Sequence, residues 1–186
     1  MSPLLLSAER SQLLLVDLQE RLVPAVADGA RIVSQARILV EAARRLAVPV
    51  TVSEQYPAGL GHVLPELGAE LADAPRFEKL AFSCLADRPL GEHLAASRRQ
   101  GRHQLVIGGV EAHVCVLQSA LEAVDRGYDA FVVADAVSSR SDRSVDIGLR
   151  RMERAGVALV TTEMVLFEWL GRAGSEAFKA LSRLIR

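Results

Sequence analysis

Three residues of this chain carry the chemistry of a nucleophilic site: Cys115, Asp17 and Lys79. Cys115 stands at the predicted start of a helix, shortly after the pair Gly108-Gly109. A helix N-terminus presents unpaired amide donors and a partial positive charge, and both favour a thiolate and lower the thiol pKa. The same amides can hold an oxyanion. Asp17 ends an apolar run, where an unpaired carboxylate would be costly to bury. Lys79 lies between Glu78 and Leu80 in a segment that reads as half-buried strand. Each residue also has a plainer reading. Cys115 could be a small buried hydrophobe, Asp17 a turn or capping residue, and Lys79 a surface lysine paired with Glu78. None of the three decides the matter alone.

The elements between them predict where they meet. Residues 12–16 form a continuous apolar run ending at Asp17, as in a strand buried on both faces. Ile32, Ala36, Leu39, Val40, Ala43 and Leu46 recur at helical spacing, which predicts a helix over residues 30–47. Further strands are expected over residues 48–52, 77–81, 104–107, 130–133 and 157–160, with Gly108-Gly109 as a tight turn closing the fourth strand. Further helices are expected over 90–100, 114–125, 141–155 and 175–184, with Ser141 capping the third of these and Thr162 capping a helix after the last strand. Residues 54–75, with Pro57, Pro65, Pro75, Gly59, Gly61 and Gly68, form the one long irregular stretch. This alternation argues for one α/β domain over residues 1–186, a three-layer α/β/α sandwich with a mostly parallel, doubly wound, Rossmann-like sheet. Ligands bind beyond the carboxyl ends of such strands, where Asp17, the Lys79 segment and the Cys115 turn all fall.

Composition narrows the function classes. Lys and Arg total 22 and Asp and Glu 23, a net charge of −1, and the clusters at Arg98, Arg99 and Arg102 and at Arg150, Arg151 and Arg154 read as solvated helix faces, so no nucleic-acid partner is expected. The first strand runs into Asp17-Leu18-Gln19-Glu20 rather than a glycine-rich phosphate turn, so no dinucleotide and no other cofactor is expected. Apolar runs fall short of the roughly 20 residues that cross a bilayer, so no membrane partner is expected. With only Cys84 and Cys115 and no secretory signal pattern at the start, the expected location is cytoplasmic.

The segments Leu13-Leu14-Leu15-Val16-Asp17-Leu18-Gln19, Glu78-Lys79-Leu80-Ala81-Phe82-Ser83 and Gly108-Gly109-Val110-Glu111-Ala112-His113-Val114-Cys115-Val116 resemble the isochorismatase-like cysteine hydrolase family over nearly the whole chain. Ala134-Asp135-Ala136-Val137-Ser138-Ser139-Arg140 is a supporting match. The stretch Ser53-Glu54-Gln55-Tyr56-Pro57 with Gly59-Leu60-Gly61 is similar to a subgroup, the isochorismatase domain-containing proteins.

The resemblance implies a cysteine hydrolase acting on a small-molecule amide or related carbon–nitrogen bond through a thioester, with Asp17, Lys79 and Cys115 as a catalytic triad. It places the oxyanion hole at the backbone amides of Glu111 and Cys115, and a cis peptide between Val110 and Glu111. Gln19, Gln55, Tyr56, Phe82 and His113 are the candidate substrate-pocket residues. Nicotinamidases of this family bind a metal through an aspartate and histidines after the second strand; here that place reads Ser53-Glu54-Gln55, and His62, His93, His103 and His113 form no ligand cluster, so no metal is expected. Apolar residues such as Phe167 and Trp169 on a late helix suit a homo-oligomer, which is also usual in the family. Two other readings stay open: a catalytically weak binding or interaction protein of the same fold, and a redox sensor in which Cys115 oxidises reversibly with Cys84 as partner.

Overall fold

A computed structural model describes residues 4–185. Six strands, β1 (Ser11–Val16), β2 (Val50–Gln55), β3 (Arg76–Lys79), β4 (Gln104–Val110), β5 (Asp129–Ser138) and β6 (Ala158–Val160), form one sheet. Its order is β3-β2-β1-β4-β5-β6 and every neighbouring pair is parallel. The chain therefore winds outward in one direction from β1 to β3, returns, and winds the other way from β4 to β6. The reversal lies between β1 and β4, where the crossovers diverge and leave a crevice at the carboxyl ends.

Helices cover both faces. α1 (Gly29–Arg45), α7 (Thr162–Leu170) and α8 (Glu176–Leu181) pack on one side, and α4 (Arg88–Arg99), α5 (Leu117–Asp125) and α6 (Asp142–Arg154) on the other. β1 shows why its run is wholly apolar. Leu13 and Leu15 point into the core under α1, while Leu14 and Val16 point into the core under α4 and α5. With both faces dry, no polar position survives in the middle of the strand. The irregular stretch after β2 holds two single-turn helices, α2 (Pro57–Leu60) and α3 (Pro65–Gly68), each opened by its proline.

Several boundaries differ from the sequence expectation for identifiable reasons. Gly108 and Gly109 do not close the fourth strand in a turn; they continue it, registered against Leu15 and Val16. Gly109 has φ +120°, and a Cβ there would lie 2.0 Å from the Val16 carbonyl oxygen, so the two backbones approach as only glycine allows. β5 is longer than expected because it bulges: Ile107 pairs with Val132, but Gly109 pairs with Val137. The extra residues turn Asp135 out of the ladder, and its Oδ1 accepts from Thr162 N at 2.8 Å and Thr162 Oγ1 at 3.0 Å. The Ala134-Asp135-Ala136 match is thereby a tie between sheet and helix. The side-chain cap of α7 is Thr161, which accepts from Met164 N, rather than Thr162. Ser141 caps α6 as expected.

Candidate active site

The site grows out of the ends of four adjacent strands. β1 ends at Val16, and Asp17 follows with φ +53°, its N–H donating to the Ser53 carbonyl at 3.1 Å. That left-handed step turns the carboxylate into the crevice rather than along the strand. Ser53, registered against Val16, donates its hydroxyl to Asp17 Oδ1 at 2.7 Å. Lys79 ends β3, and its Nζ lies 2.8 Å from Asp17 Oδ2. Both side chains are fully buried. Removing two charges from water is tolerable only when they are paired and their remaining donors and acceptors are met. Here they are: Lys79 Nζ also donates to Gln55 Oε1 at 2.7 Å and to the Phe82 carbonyl at 3.2 Å.

Cys115 enters from the chain that follows β4. The peptide between Val110 and Glu111 is cis. A π-helical turn, Ala112–Val116, then leads into α5, so Cys115 sits within a wide turn rather than at the first residue of a regular helix. The Glu111 carbonyl accepts from Val114 N and Val116 N, and its carboxylate accepts from Arg140 N at 3.3 Å and Arg140 Nε at 3.0 Å. Cys115 is 6% exposed. Its thiol reaches Gln55 Oε1 at 3.9 Å, a long contact, and feels the charge of the Asp17 carboxylate. The sequence places these residues far apart; the crevice between β1 and β4 brings thiol, carboxylate and ammonium into one polar cluster.

The electrostatics of the thiol run opposite to the sequence expectation. Burial pushes the Cys115 pKa far above its ordinary value of 9.0, and the charge of the Asp17 carboxylate pushes it the same way. The Lys79 ammonium pulls it back only in part. For Lys79, burial disfavours the charged form, but Asp17 and the two thiols outweigh it and the pKa rises. At rest the site is therefore an ion pair beside a neutral thiol.

Two further residues belong to this cluster: Ser53, which the sequence did not single out as a site residue, and Cys84, expected only as a redox partner of Cys115. Ser53 fixes Asp17 through both its carbonyl and its hydroxyl. Cys84, wholly buried, donates its thiol to Ser53 Oγ at 3.5 Å, and its pKa is pushed up to about 11, chiefly by burial.

The five pocket candidates fall in different settings. Gln19 is buried with its side-chain amide joined to other backbone: Nε2 donates to the carbonyls of Gln55 at 3.0 Å and Gly61 at 2.6 Å, and Oε1 accepts from Gln55 N at 2.7 Å. Gln55 lies in the polar cluster. Tyr56 and Phe82 are about half exposed at the rim, 53% and 52%. His113 is half-buried, its Nδ1 hydrogen-bonded to Ser139 Oγ at 2.9 Å. A cavity of about 530 Å³ opens beside Lys79, lined among others by Tyr56, Pro57, Glu78, Leu80 and Arg88; Cys115 does not line it. A second cavity, about 580 Å³, lies against α1 at Val33 and Arg37 and against Val23 in the turn before it, and no candidate residue lines it. Among the described residues, no three His, Cys, Asp or Glu side chains gather as a metal site, and no helix is long and apolar enough to cross a membrane.

Comparisons with known proteins identify the family and the fold. Residues 11–164 match the sequence profile of the Isochorismatase domain. Isochorismatase domain-containing protein 2 of Xenopus laevis is 40% identical over 178 residues, 95% of this chain and 84% of that protein. Among solved structures, the MAR1 ribonuclease of Caenorhabditis elegans superposes with a TM-score of 0.89 at 36% identity, over 97% of this chain and 91% of that one. The YcaC gene product of Escherichia coli, described as an octameric hydrolase of unknown specificity, superposes with a TM-score of 0.90 at 26% identity, over 99% and 92% of the two chains. The chain thus belongs to the isochorismatase family and has the hydrolase fold of that family.

Proposed function

We propose that this protein is a cysteine hydrolase of a small-molecule amide or related carbon–nitrogen bond, with Asp17, Lys79 and Cys115 as its catalytic triad. The observation that carries the reading is the buried ion pair Asp17–Lys79 at 2.8 Å, set beside a thiol. Burying a carboxylate and an ammonium to support a filler residue would be a poor exchange; a site that must move a proton and stabilise a sulfur anion needs both.

In this mechanism the thiol is neutral until substrate arrives. Its proton passes to the Asp17 carboxylate as sulfur attacks the carbonyl carbon. Lys79 stabilises the developing thiolate, and the backbone amides of Glu111 and Cys115 hold the oxyanion. Asp17, now protonated, gives its proton to the departing amine. Water then hydrolyses the thioester, its proton returning through Asp17. Two lower barriers replace one high barrier, and proton transfer of this kind contributes about 10² to 10⁴-fold. Tyr56, Phe82 and His113 form the walls that face substrate, with Gln19 and Gln55 at the base. Metal and cofactor have no part in the scheme. The octameric relative supports a homo-oligomer as the working form.

The ribonuclease name of one relative raises a phosphodiester substrate as the rival class. The net charge of −1 favours the small molecule, because RNA affinity rests largely on cationic contacts to phosphate. A panel of small amides and an RNA substrate, each offered to wild-type and Cys115→Ala proteins, tests the reading. Amide turnover by wild type, lost in Cys115→Ala, supports it. RNA cleavage that survives in Cys115→Ala overturns it.

A further inference from the structure

Lys79 has three N–H donors and all three are engaged: Asp17 Oδ2 at 2.8 Å, Gln55 Oε1 at 2.7 Å and the Phe82 carbonyl at 3.2 Å. In this arrangement no ammonium N–H is left for the sulfur. The acceptor that Lys79 shares with the thiol is Gln55 Oε1, which Cys115 Sγ also approaches at 3.9 Å.

Gln55 is held so that this oxygen cannot turn away. Its backbone N–H and carbonyl are clasped by the Gln19 side chain. Its own Nε2 donates to the Leu80 carbonyl at 2.9 Å. The reverse orientation would set NH₂ against an ammonium and oxygen against oxygen, so the amide has one satisfied arrangement.

We propose that Gln55 is a positioning residue that keeps Cys115 protonated at rest, by accepting from the thiol and by occupying the Lys79 N–H that the sulfur anion needs. When the thiol proton moves to Asp17, the sulfur ceases to be a donor. It then faces the Gln55 oxygen with like polarity, and the ammonium N–H passes from Gln55 Oε1 to sulfur. The nucleophile is thereby exposed only while proton transfer is under way, which guards it against stray electrophiles. The charged and titratable groups facing Cys115 are Asp17 after β1, Lys79 at the end of β3 and Cys84 beyond it. On its own turn, the Glu111 carboxylate is held by Arg140 and His113 by Ser139.

This inference rests on the triad reading, and the test separates the two. The thiolate absorbance of the full chain is titrated with pH, with the matching Cys115→Ser protein as blank and circular dichroism marking the range in which the fold holds. Gln55→Met, similar in size but without the oxygen, is expected to shift ionisation downward by about one pH unit, tenfold more thiolate at a given pH below the midpoint. Gln55→Glu, which places a second anion beside the sulfur, is expected to shift it upward. A residue that merely supported the fold would not move the two in opposite directions. If Gln55→Met leaves ionisation unchanged or raises it while Lys79→Met raises it, the inference fails and the triad stands. If Lys79→Met does not move it either, both fail. Should Gln55→Met not fold, Gln55→Glu decides: no change or a downward shift overturns the inference.

Discussion

The floor and the rim of this site are built on opposite principles. On the floor, Asp17, Ser53, Gln55 and Lys79 are buried at strand ends, and each is tied to at least one other by hydrogen bonds of 2.7 to 2.8 Å. At the rim, Tyr56, Leu80 and Phe82 are 53%, 75% and 52% exposed large apolar groups. A side chain on the floor cannot change without stranding a partner. A side chain on the rim can change with little effect on its neighbours. On the proposed reading, the fold holds the chemistry in its sheet and leaves substrate choice to the loops that follow it.

The largest expected effect comes from breaking the floor. Lys79→Met leaves Asp17 buried and unpaired and is expected to lower stability by about 3 to 5 kcal/mol in urea denaturation. Adding Asp17→Asn should recover part of that loss, because the second change removes the stranded charge. Additive losses would mean that the pair is not coupled. Next comes the backbone beneath the floor. Gly109→Ala is expected to cost about 3 kcal/mol, since its methyl would meet the Val16 backbone at a φ that alanine adopts poorly. A change under 1 kcal/mol, roughly the ordinary glycine effect, would deny the close approach.

A third effect is pH-dependent. The Cys84 pKa is raised from 9.0 to about 11 in the fold, so its contribution to stability is full below pH 9 and is lost as pH rises through 11. The loss is roughly 2 to 3 kcal/mol at that order of shift. Denaturation at the two ends of this window should show a smaller decline in Cys84→Ala than in wild type. The smallest effect on stability belongs to the rim. Tyr56→Ala with Leu80→Ser is expected to change stability by less than about 1 kcal/mol, while changing KM more than kcat for a substrate the protein turns over. A large drop in folding stability would show that the rim is core after all.

How much of this was legible in the sequence follows the same division. The apolar run that stops at Asp17 announces a central strand, because only a position dry on both faces excludes polar residues. Ser141 reads correctly as the cap of α6, whereas the cap of α7 is Thr161, one residue before the expected Thr162. What the sequence did not reveal depends on contacts between strands joined by long crossovers. Ser53 looks like any strand serine until Val16 lies beside it. Gly108-Gly109 reads as a turn until the Val16 backbone is seen to need the space. Asp135 stands in a segment that matches the family, and only the bulge in β5 shows that it is aimed at Thr162. The sign of the Cys115 pKa shift was missed for the same reason. The local feature, a helix start, favours the thiolate. Burial and the Asp17 carboxylate, both supplied by distant chain, prevail over it.

The most direct test of the nucleophile is to trap it. An activated small ester such as p-nitrophenyl acetate, mixed with the protein, acid-quenched and digested, should leave an acetyl group on Cys115 by peptide mass spectrometry, with a burst of nitrophenol matching the enzyme present. The same treatment of Cys115→Ser should leave no thioester. Turnover accompanied by acetyl on another residue, or by no adduct while the burst persists, would contradict the account.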